Sequence, residues 1–349
     1  MSKFRFLTSG ESHGKCLTAI IEGIPSNFPI DIEKINKELK RRQSGYGRGE
    51  RMKIEYDTVE ITSGIRFGKT LGSPITLVIK NKDYENWQKI MSVYPDDFTE
   101  EKSFTQCRPG HADYAGSIKY NQKDLRNILE RSSARKTAID VAVGSIAKQI
   151  LEQFDIKCNS KIIQIGKVTE NFKQEIDKLK EQGDTTGGKF EIKFENLPIG
   201  LGSCMHWDEM LDGKIAQSVM SIPAIKAVEI GQNPLGYYGS EYHDEIFLEN
   251  NKITRKTNNA GGIEGGMTNG EPLVIKAVMK PIPTMRKPLN TVDLSNITEC
   301  QAHFERSDTC ALEACSVVAE SRIACILADE IFQKFGGDSF EEIMRYFKK

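Results

Sequence analysis

No apolar run in this chain approaches the roughly 18 residues that a membrane helix needs, which excludes a helical span. The opening residues, Met1-Ser-Lys-Phe-Arg-Phe-Leu7, lack the long apolar stretch of a secretory signal, so a cytoplasmic protein is expected. There is no basic excess: the net charge of −1 argues against a non-specific nucleic-acid binder. Cys16, Cys107, Cys158, Cys204, Cys300, Cys310, Cys315 and Cys325 form no C-x-x-C pair, which points to reduced thiols rather than a disulfide frame. Neither Cys nor His clusters at ligand spacing, so no zinc site is expected. A P-loop lysine motif, a G-x-S-x-G elbow and an H-E-x-x-H pair are all missing, and three common enzyme classes go with them. Histidine is scarce, with only five: His13, His111, His206, His243 and His303.

What is present is 349 residues of ordinary globular material, 38% hydrophobic and 28% charged, enough for a large core. Strand patterns read at Phe4–Leu7, Leu17–Ile24, Glu55–Gly64, Leu71–Lys80, Ile162–Val168, Lys189–Phe194, Ala224–Ile230 and Pro272–Met279, with a short one at Thr298–His303. Asp31 caps a helix to about Arg42 whose buried stripe is Ile32, Ile35 and Leu39. Ala134–Phe154 reads as a buried central helix in which Ala142, Gly144, Ser145 and Ala147 permit close packing. Further helices read at Asn171–Gln182, Asp208–Met220 and Ser316–Phe335, the last with a stripe of Val317, Ile323, Ile326 and Leu327. Residues 81–105 and 232–256 read as loops, and residues 336–349 as a short C-terminal tail. No repeat of fixed period is visible. Strands come in pairs and helices singly, which predicts an α+β fold with mostly antiparallel sheet, as one domain over residues 1–349.

The chemistry concentrates in two blocks. Arg108-Pro-Gly-His-Ala-Asp113 sets a titratable imidazole behind a Pro-Gly turn. Arg131-Ser-Ser-Ala-Arg-Lys-Thr137 sets arginines and two potential helix caps, Ser132 and Ser133, at the mouth of the central helix, where free N–H groups attract anions. His13 lies in a second glycine-flanked turn, Gly10-Glu-Ser-His-Gly14. Either histidine can move a proton, or merely hydrogen-bond its loop. The other three histidines read as structural. Arg41–Arg51 is basic and glycine-rich and reads as a mobile surface loop suited to anions. Asp308, beside Arg306, is a base or a cap, with Glu11 and Asp113 as the same kind of choice. Gly261-Gly-Ile-Glu-Gly-Gly266 is not the dinucleotide fingerprint, since it precedes a strand. Together these residues suit a small, multiply anionic substrate with proton transfer at its centre.

An ordered set of motifs then carries a resemblance: Gly10–Gly14, Arg108–Asp113, Arg131–Arg135, Gly200-Leu-Gly202, Ser221–Gly231, Asn258–Gly266, Lys280-Pro281 and Arg306-Ser-Asp308. From about Phe4 to Asp329 the chain resembles the chorismate synthase family. The resemblance implies a carbon–oxygen lyase that converts 5-enolpyruvylshikimate 3-phosphate to chorismate and phosphate by anti-1,4-elimination. It also implies reduced FMN as cofactor without net oxidation, NADPH or an external donor as its reductant, and a homotetramer. The implied protomer is a β-α-β sandwich of antiparallel sheets around central helices.

The resemblance also implies roles. His13 protonates the departing phosphate, His111 sits near the flavin N1/O2 edge, and Asp308 works with flavin N5 on the C6 proton. Arg42, Arg48, Arg108 and Arg135 match substrate- and NADP-binding positions and hold the substrate's phosphate and carboxylates. Arg131, Ser132, Ser133, Pro223, Ala224, Gly265, Lys280, Pro281, Ile282, Pro283, Thr284 and Arg306 match flavin-contacting positions. The chain departs from the common pattern at Leu129-Glu130, Lys136, Pro223 and Ser307. Pro223 offers only its ring or carbonyl to a flavin. Glu130 puts a negative charge by the anion site, weakening FMN phosphate binding unless it pairs with an arginine. A silent anion-binding protein and an RNA-binding module built on the Arg-Gly loop are the readings from other classes. The two histidines and Asp308 count against the first, and the balanced charge against the second.

Overall fold

Alternating burial builds two four-stranded antiparallel sheets. The structure, a computed structural model, describes residues 3–49, 56–302 and 308–348. The first sheet contains β1 (Arg5–Ser9), β2 (Cys16–Glu22), β3 (Glu60–Ser63) and β4 (Ile75–Lys80), in the order β1-β2-β4-β3. The second contains β5 (Lys157–Ile165), β6 (Gly188–Glu195), β7 (Ile225–Ile230) and β8 (Leu273–Met279), in the order β5-β6-β8-β7. Each sheet turns one row inward: Leu17, Ala19 and Ile21 with Ile75, Leu77 and Ile79 in the first, and Phe190, Ile192 and Phe194 with Leu273, Ile275 and Ala277 in the second. Side chains alternate along a strand, so the pairing of Leu17 with Ile79 and of Ile192 with Ile275 puts apolar residues on one face.

Four helices matter for the site: α1 (Ile32–Gln43), α2 (Arg126–Ser132), α3 (Thr137–Glu152) and α4 (Leu312–Phe335). Every residue of α3 from Thr137 to Ala147 is buried. A helix that is apolar all round belongs inside. It packs against the first sheet on one side and α4 on the other, and α4 packs against β5 and β6. The α3–α4 contact is close because Gly144 has no side chain: a Cβ there would lie 2.2 Å from Cβ of Ser321. One continuous core joins both sheets with α1, α3 and α4, giving the α+β sheet–helix–sheet sandwich that the motifs imply, while Leu129 of α2 packs in a smaller cluster with Phe104, Cys107 and Leu125. No helix among the described residues is long and apolar enough to cross a membrane.

Some expectations change. Ile32 is 44% exposed, so the buried face of α1 is Ile35, Leu39 and Arg42. Arg41 and Arg42 close α1, as the helix reading to about Arg42 has it, so the basic stretch is a loop only beyond Gln43. Asp31 caps that helix as expected, accepting from the N–H groups of Glu33 and Lys34. Residues 232–256 hold a hairpin, Ile246–Glu249 with Lys252–Arg255, whose exposed Ile246, Leu248 and Ile253 gave no core pattern to read. The tail forms a helix, Phe340–Phe347, started by a Ser339 capping box and anchored by buried Ile343. His206 is exposed and bonds Asp208, while His303 lies outside the described residues.

A buried charge cluster pins the helices together. Glu320 of α4 accepts from Lys148 Nζ of α3 at 2.5 Å and from Arg41 of α1 at 2.9 and 3.0 Å, and Ser160 Oγ of β5 donates to it at 2.5 Å. Burial pushes the Glu320 carboxyl up, but Lys148 and Arg41 outweigh it and bring it down to about 2 from 4.5. A folded-state value below the unfolded one stabilises fully above pH 4.5, and that stability is lost as pH falls toward 2. Urea unfolding across this window should show a steeper loss in the parent than in Glu320→Gln. Equal slopes would show that the carboxylate is not linked to folding.

Candidate active site

The Gly10–Gly14 turn links β1 to β2 and is held from three sides. Gly10 takes φ +103°, and a Cβ on it would lie 2.3 Å from the Cys16 carbonyl oxygen. The Arg131 guanidinium donates to Gly10 O at 2.9 Å and Thr8 O at 2.8 Å. Asn81, just after β4, donates to Glu11 O at 3.1 Å and Gly14 O at 2.6 Å. The Ser12 N–H donates to Glu130 O at 2.9 Å. His13 at the centre of this turn is buried, its ring stacked on Trp87 with centroids 3.9 Å apart.

From Asn81 a hydrogen-bonded chain runs to Arg42, and the Arg48–Asp308 pair lies close enough to act on Arg42 through its charges. Arg135 Nε donates to Asn81 Oδ1 at 2.9 Å, and its Nη1 reaches both Asp57 oxygens at 2.6 and 2.8 Å. Arg42 Nη1 meets the same carboxylate at 3.4 Å, and its Nε donates to Thr137 Oγ1 at 3.0 Å. Burial draws the Arg42 guanidinium down to about 10; Asp57 holds against it, while Arg135 and Arg48 push it further down. Arg48 pairs with Asp308 at 3.2 Å, and the Gly49 N–H donates to Asp308 Oδ1 at 2.5 Å. His13, Arg42, Arg48, Arg135 and Asp308 are thereby brought into one connected region.

The second histidine sits in a turn braced by its own motif. Arg108 donates to Asp113 from Nε and Nη2, both at 2.8 Å, and both residues are buried. His111 is half-buried, with Nε2 3.1 Å from Thr284 Oγ1. Lys280 Nζ donates to Gly110 O, and a Cβ on Gly110, at φ +81°, would lie 3.1 Å from Pro283. The Lys280–Thr284 segment therefore lies along the Pro-Gly-His turn. Its start is tied to Ala224, whose carbonyl accepts from Lys280 N at 2.9 Å. Burial and nearby Lys226 draw the Lys280 ammonium down. The two histidine turns connect through stacked groups: Arg126 lies 5.2 Å over Trp87 and 5.1 Å over Phe104, and Arg108 lies 5.5 Å over Phe104.

Not every expected residue joins. Ser133 caps a short 3-10 turn, accepting from Arg135 N at 3.3 Å, whereas Ser132 ends α2 and donates to Leu129 O. Gly265 turns the Ile263–Thr268 hairpin, which is seated at the Leu273 end of β8; Lys280 follows Met279 at the other end, about 20 Å of strand away. Arg306 and Ser307 lie outside the described residues. Glu130 does not stand as a bare charge by an anion site. It is buried, bonded to His13, and 3.7 Å from Arg126. Lys136 is half-buried near Asp140, Arg131 and Arg322; burial draws its ammonium down and pushes the Asp140 carboxyl up. Sequence reading passed over Asp57, Asn81 and Trp87, which belong to no motif. Only the number of arginines signalled that a buried carboxylate was needed. Among the described residues no cluster of His, Cys, Asp or Glu is set to hold a metal.

Comparison with known proteins matches this arrangement. The profile of the family described as chorismate synthase covers residues 4–332. The "Chorismate synthase" of Thermoanaerobacter pseudethanolicus (strain ATCC 33223 / 39E) is 56% identical, over 98% of this chain and 96% of that protein. The "Chorismate synthase" of Aquifex aeolicus (strain VF5) is 49% identical, over 99% and 96%. A crystal structure of chorismate synthase superposes with a TM-score of 0.79 at 42% identity, over 99% of this chain and 96% of that one. Likeness of this extent, in sequence and in fold, places the chain in the chorismate synthase family.

Proposed function

We propose that the chain is the lyase that converts 5-enolpyruvylshikimate 3-phosphate to chorismate and phosphate, the last step of the shikimate pathway. The observation that carries this reading is the family match over nearly the whole chain, with the two histidine turns and Asp308 all present. The reading includes one catalytic domain over residues 1–349, acting as a cytoplasmic homotetramer on a small molecule, with no nucleic acid or membrane partner.

The elimination loses a phosphate from C3 and a proton from C6. A departing phosphate needs its charge neutralised by donors already in place. Arg42, Arg48, Arg108 and Arg135 are assigned that task, and their bonds to Asp57, Asp308 and Asp113 fix them beforehand. His13 gives its proton to a phosphate oxygen. Asp308, oriented by Arg48 and the Gly49 N–H, takes up the C6 proton on a carboxylate oxygen. Holding the substrate by several arginines fixes the C6–H direction and lowers the entropic part of the barrier.

Reduced FMN is the cofactor of this reading, and it supplies electron density toward the allylic C–O bond when bound. The residues present fit such a group. Lys280 brings a cation, His111 and Thr284 bring an imidazole and a hydroxyl 3.1 Å apart, and Pro283 packs so close to Gly110 that a Cβ there would lie 3.1 Å from it. These, with Arg131, Ser132, Ser133, Pro223, Ala224, Pro281, Ile282 and Arg306, are the residues that would hold it. Gly265, at the other end of β8, stays in that set as the member farthest along the strand from Lys280.

Anaerobic phosphate release from 5-enolpyruvylshikimate 3-phosphate, with and without reduced FMN, is the test. Release only with reduced FMN, and chorismate absorbance rising in step, is the expected result. No release despite substrate binding would leave a silent binding protein. Adding NADPH with oxidised FMN then shows whether the chain reduces its own flavin.

A further inference from the structure

Glu130 makes both of its described side-chain hydrogen bonds to a single residue. One oxygen accepts from the His13 backbone N–H at 2.7 Å, and the other lies 2.7 Å from His13 Nδ1. Glu130 is 4% exposed and His13 8%, so water has little part in holding the pair. The imidazole is also fixed from its face by Trp87, whose Nε1 donates to Asp83 at 3.1 Å. Lys102 and Arg126 lie over the same indole, at 3.9 and 5.2 Å. The catalytic turn itself is anchored to the last turn of α2 by the Ser12 N–H to Glu130 O bond.

We propose that Glu130 is the positioning residue of His13, fixing its ring orientation and its tautomer. This rests on the reading of His13 as the proton donor to phosphate. An ionised carboxylate only accepts hydrogen bonds, so the proton of the neutral ring resides on Nδ1 and its lone pair on Nε2. Nε2 is then the one nitrogen through which the ring gains and gives its working proton. The carboxylate also faces the positive ring that exists before the proton is given up, in the manner of the aspartate behind a catalytic histidine. An amide at this position inverts the arrangement: its oxygen can still accept from the His13 N–H, while its NH2 donates to Nδ1 and moves the proton to Nε2.

The test is a cycle of His13→Ala, Glu130→Gln and the double variant, in phosphate release with reduced FMN, alongside 15N spectra of histidine-labelled protein without ligands. Glu130→Gln is expected to lower kcat about 10- to 100-fold, as loss of a group orienting a working histidine does, with KM changed by less than about threefold. On the His13→Ala background the same change should have no further effect, because both act through one imidazole. The His13 signals, identified by their loss in His13→Ala, should show Nδ1–H in the parent and Nε2–H in Glu130→Gln. Glu130→Asp keeps the acceptor and should recover part of the lost kcat. Independent losses in the double variant, an unchanged tautomer, or Asp no better than Gln would each overturn the proposal for Glu130 alone. Full turnover in His13→Ala would overturn it together with the role of His13.

Discussion

Replacing Asp57 with asparagine is expected to destabilise the protein by about 3–5 kcal/mol and to abolish most turnover. Breaking a buried ion pair from one side leaves the other charge uncompensated, and that is the origin of the penalty. Here two guanidiniums share one carboxylate: Arg135 at 2.6 and 2.8 Å and Arg42 at 3.4 Å, with all three side chains buried. Burial already draws Arg42 down to about 10, Arg135 and Arg48 push the same way, and Asp57 is the foremost group opposing them. The loss would spread along the bonded chain. Arg135 also holds Asn81, and Asn81 holds the His13 turn through Glu11 O and Gly14 O. Denaturant unfolding of Asp57→Asn and its parent measures the first part. The second part uses the substrate: if Arg42 and Arg135 receive its anionic groups, 5-enolpyruvylshikimate 3-phosphate should raise the melting temperature of the variant more than that of the parent. Parent-like stability would remove Asp57 from this role. A substrate shift unchanged from that of the parent would remove the two arginines from the substrate site.

The parts of the sandwich were legible in residue patterns, and its plan only through the resemblance carried by the motifs. Seven of the eight strands of the two sheets follow alternation closely enough to be read to within a few residues or within a longer run, whereas β5 was caught only at Ile162–Ile165, because Lys157–Lys161 carries no apolar alternation. The order of strands, β1-β2-β4-β3 and β5-β6-β8-β7, repeats one topology twice, yet no period appears in the sequence. Topology is conserved by pairing and packing, which many sequences satisfy, and the two halves carry different insertions between strands. The site divides in the same way. His13, His111 and the arginines stand out because glycine turns and arginine runs have local signatures. Asp57, Asn81 and Trp87 do not, since each is an ordinary residue at a strand end or in a loop, given its importance by a partner far along the chain. Glu130 was read only in part for the same reason: the arginine pairing left open in the sequence is met by Arg126 at 3.7 Å, while its bond to His13 had no local sign. Next to Arg131 in sequence it looks like a stray charge, and only the fold turns it toward His13, 117 residues away.

His111→Ala is expected to lower kcat by about 100- to 10,000-fold while leaving substrate affinity near that of the parent, the range that follows from deleting a group that handles or stabilises charge at the reacting centre. The turn should survive the loss of the ring. Its backbone is closed by the His111 N–H to Arg108 O at 3.1 Å, its carbonyl at Gly110 is held by Lys280, and Arg108 is locked to Asp113 by bonds at 2.8 Å. None of these uses the imidazole, whose Nε2 lies 3.1 Å from Thr284 Oγ1. Thr284→Val separates the two functions of that contact. If the hydroxyl only orients the ring, the valine variant should lose far less than the alanine variant and bind reduced FMN as the parent does. If the pair holds the cofactor, both variants should weaken FMN binding, measured anaerobically by flavin absorbance, and added FMN should restore part of their kcat. Unaltered turnover in His111→Ala would take the residue out of the site altogether, leaving the Pro-Gly-His turn as a brace for the Lys280–Thr284 segment and His13 as the one imidazole at work.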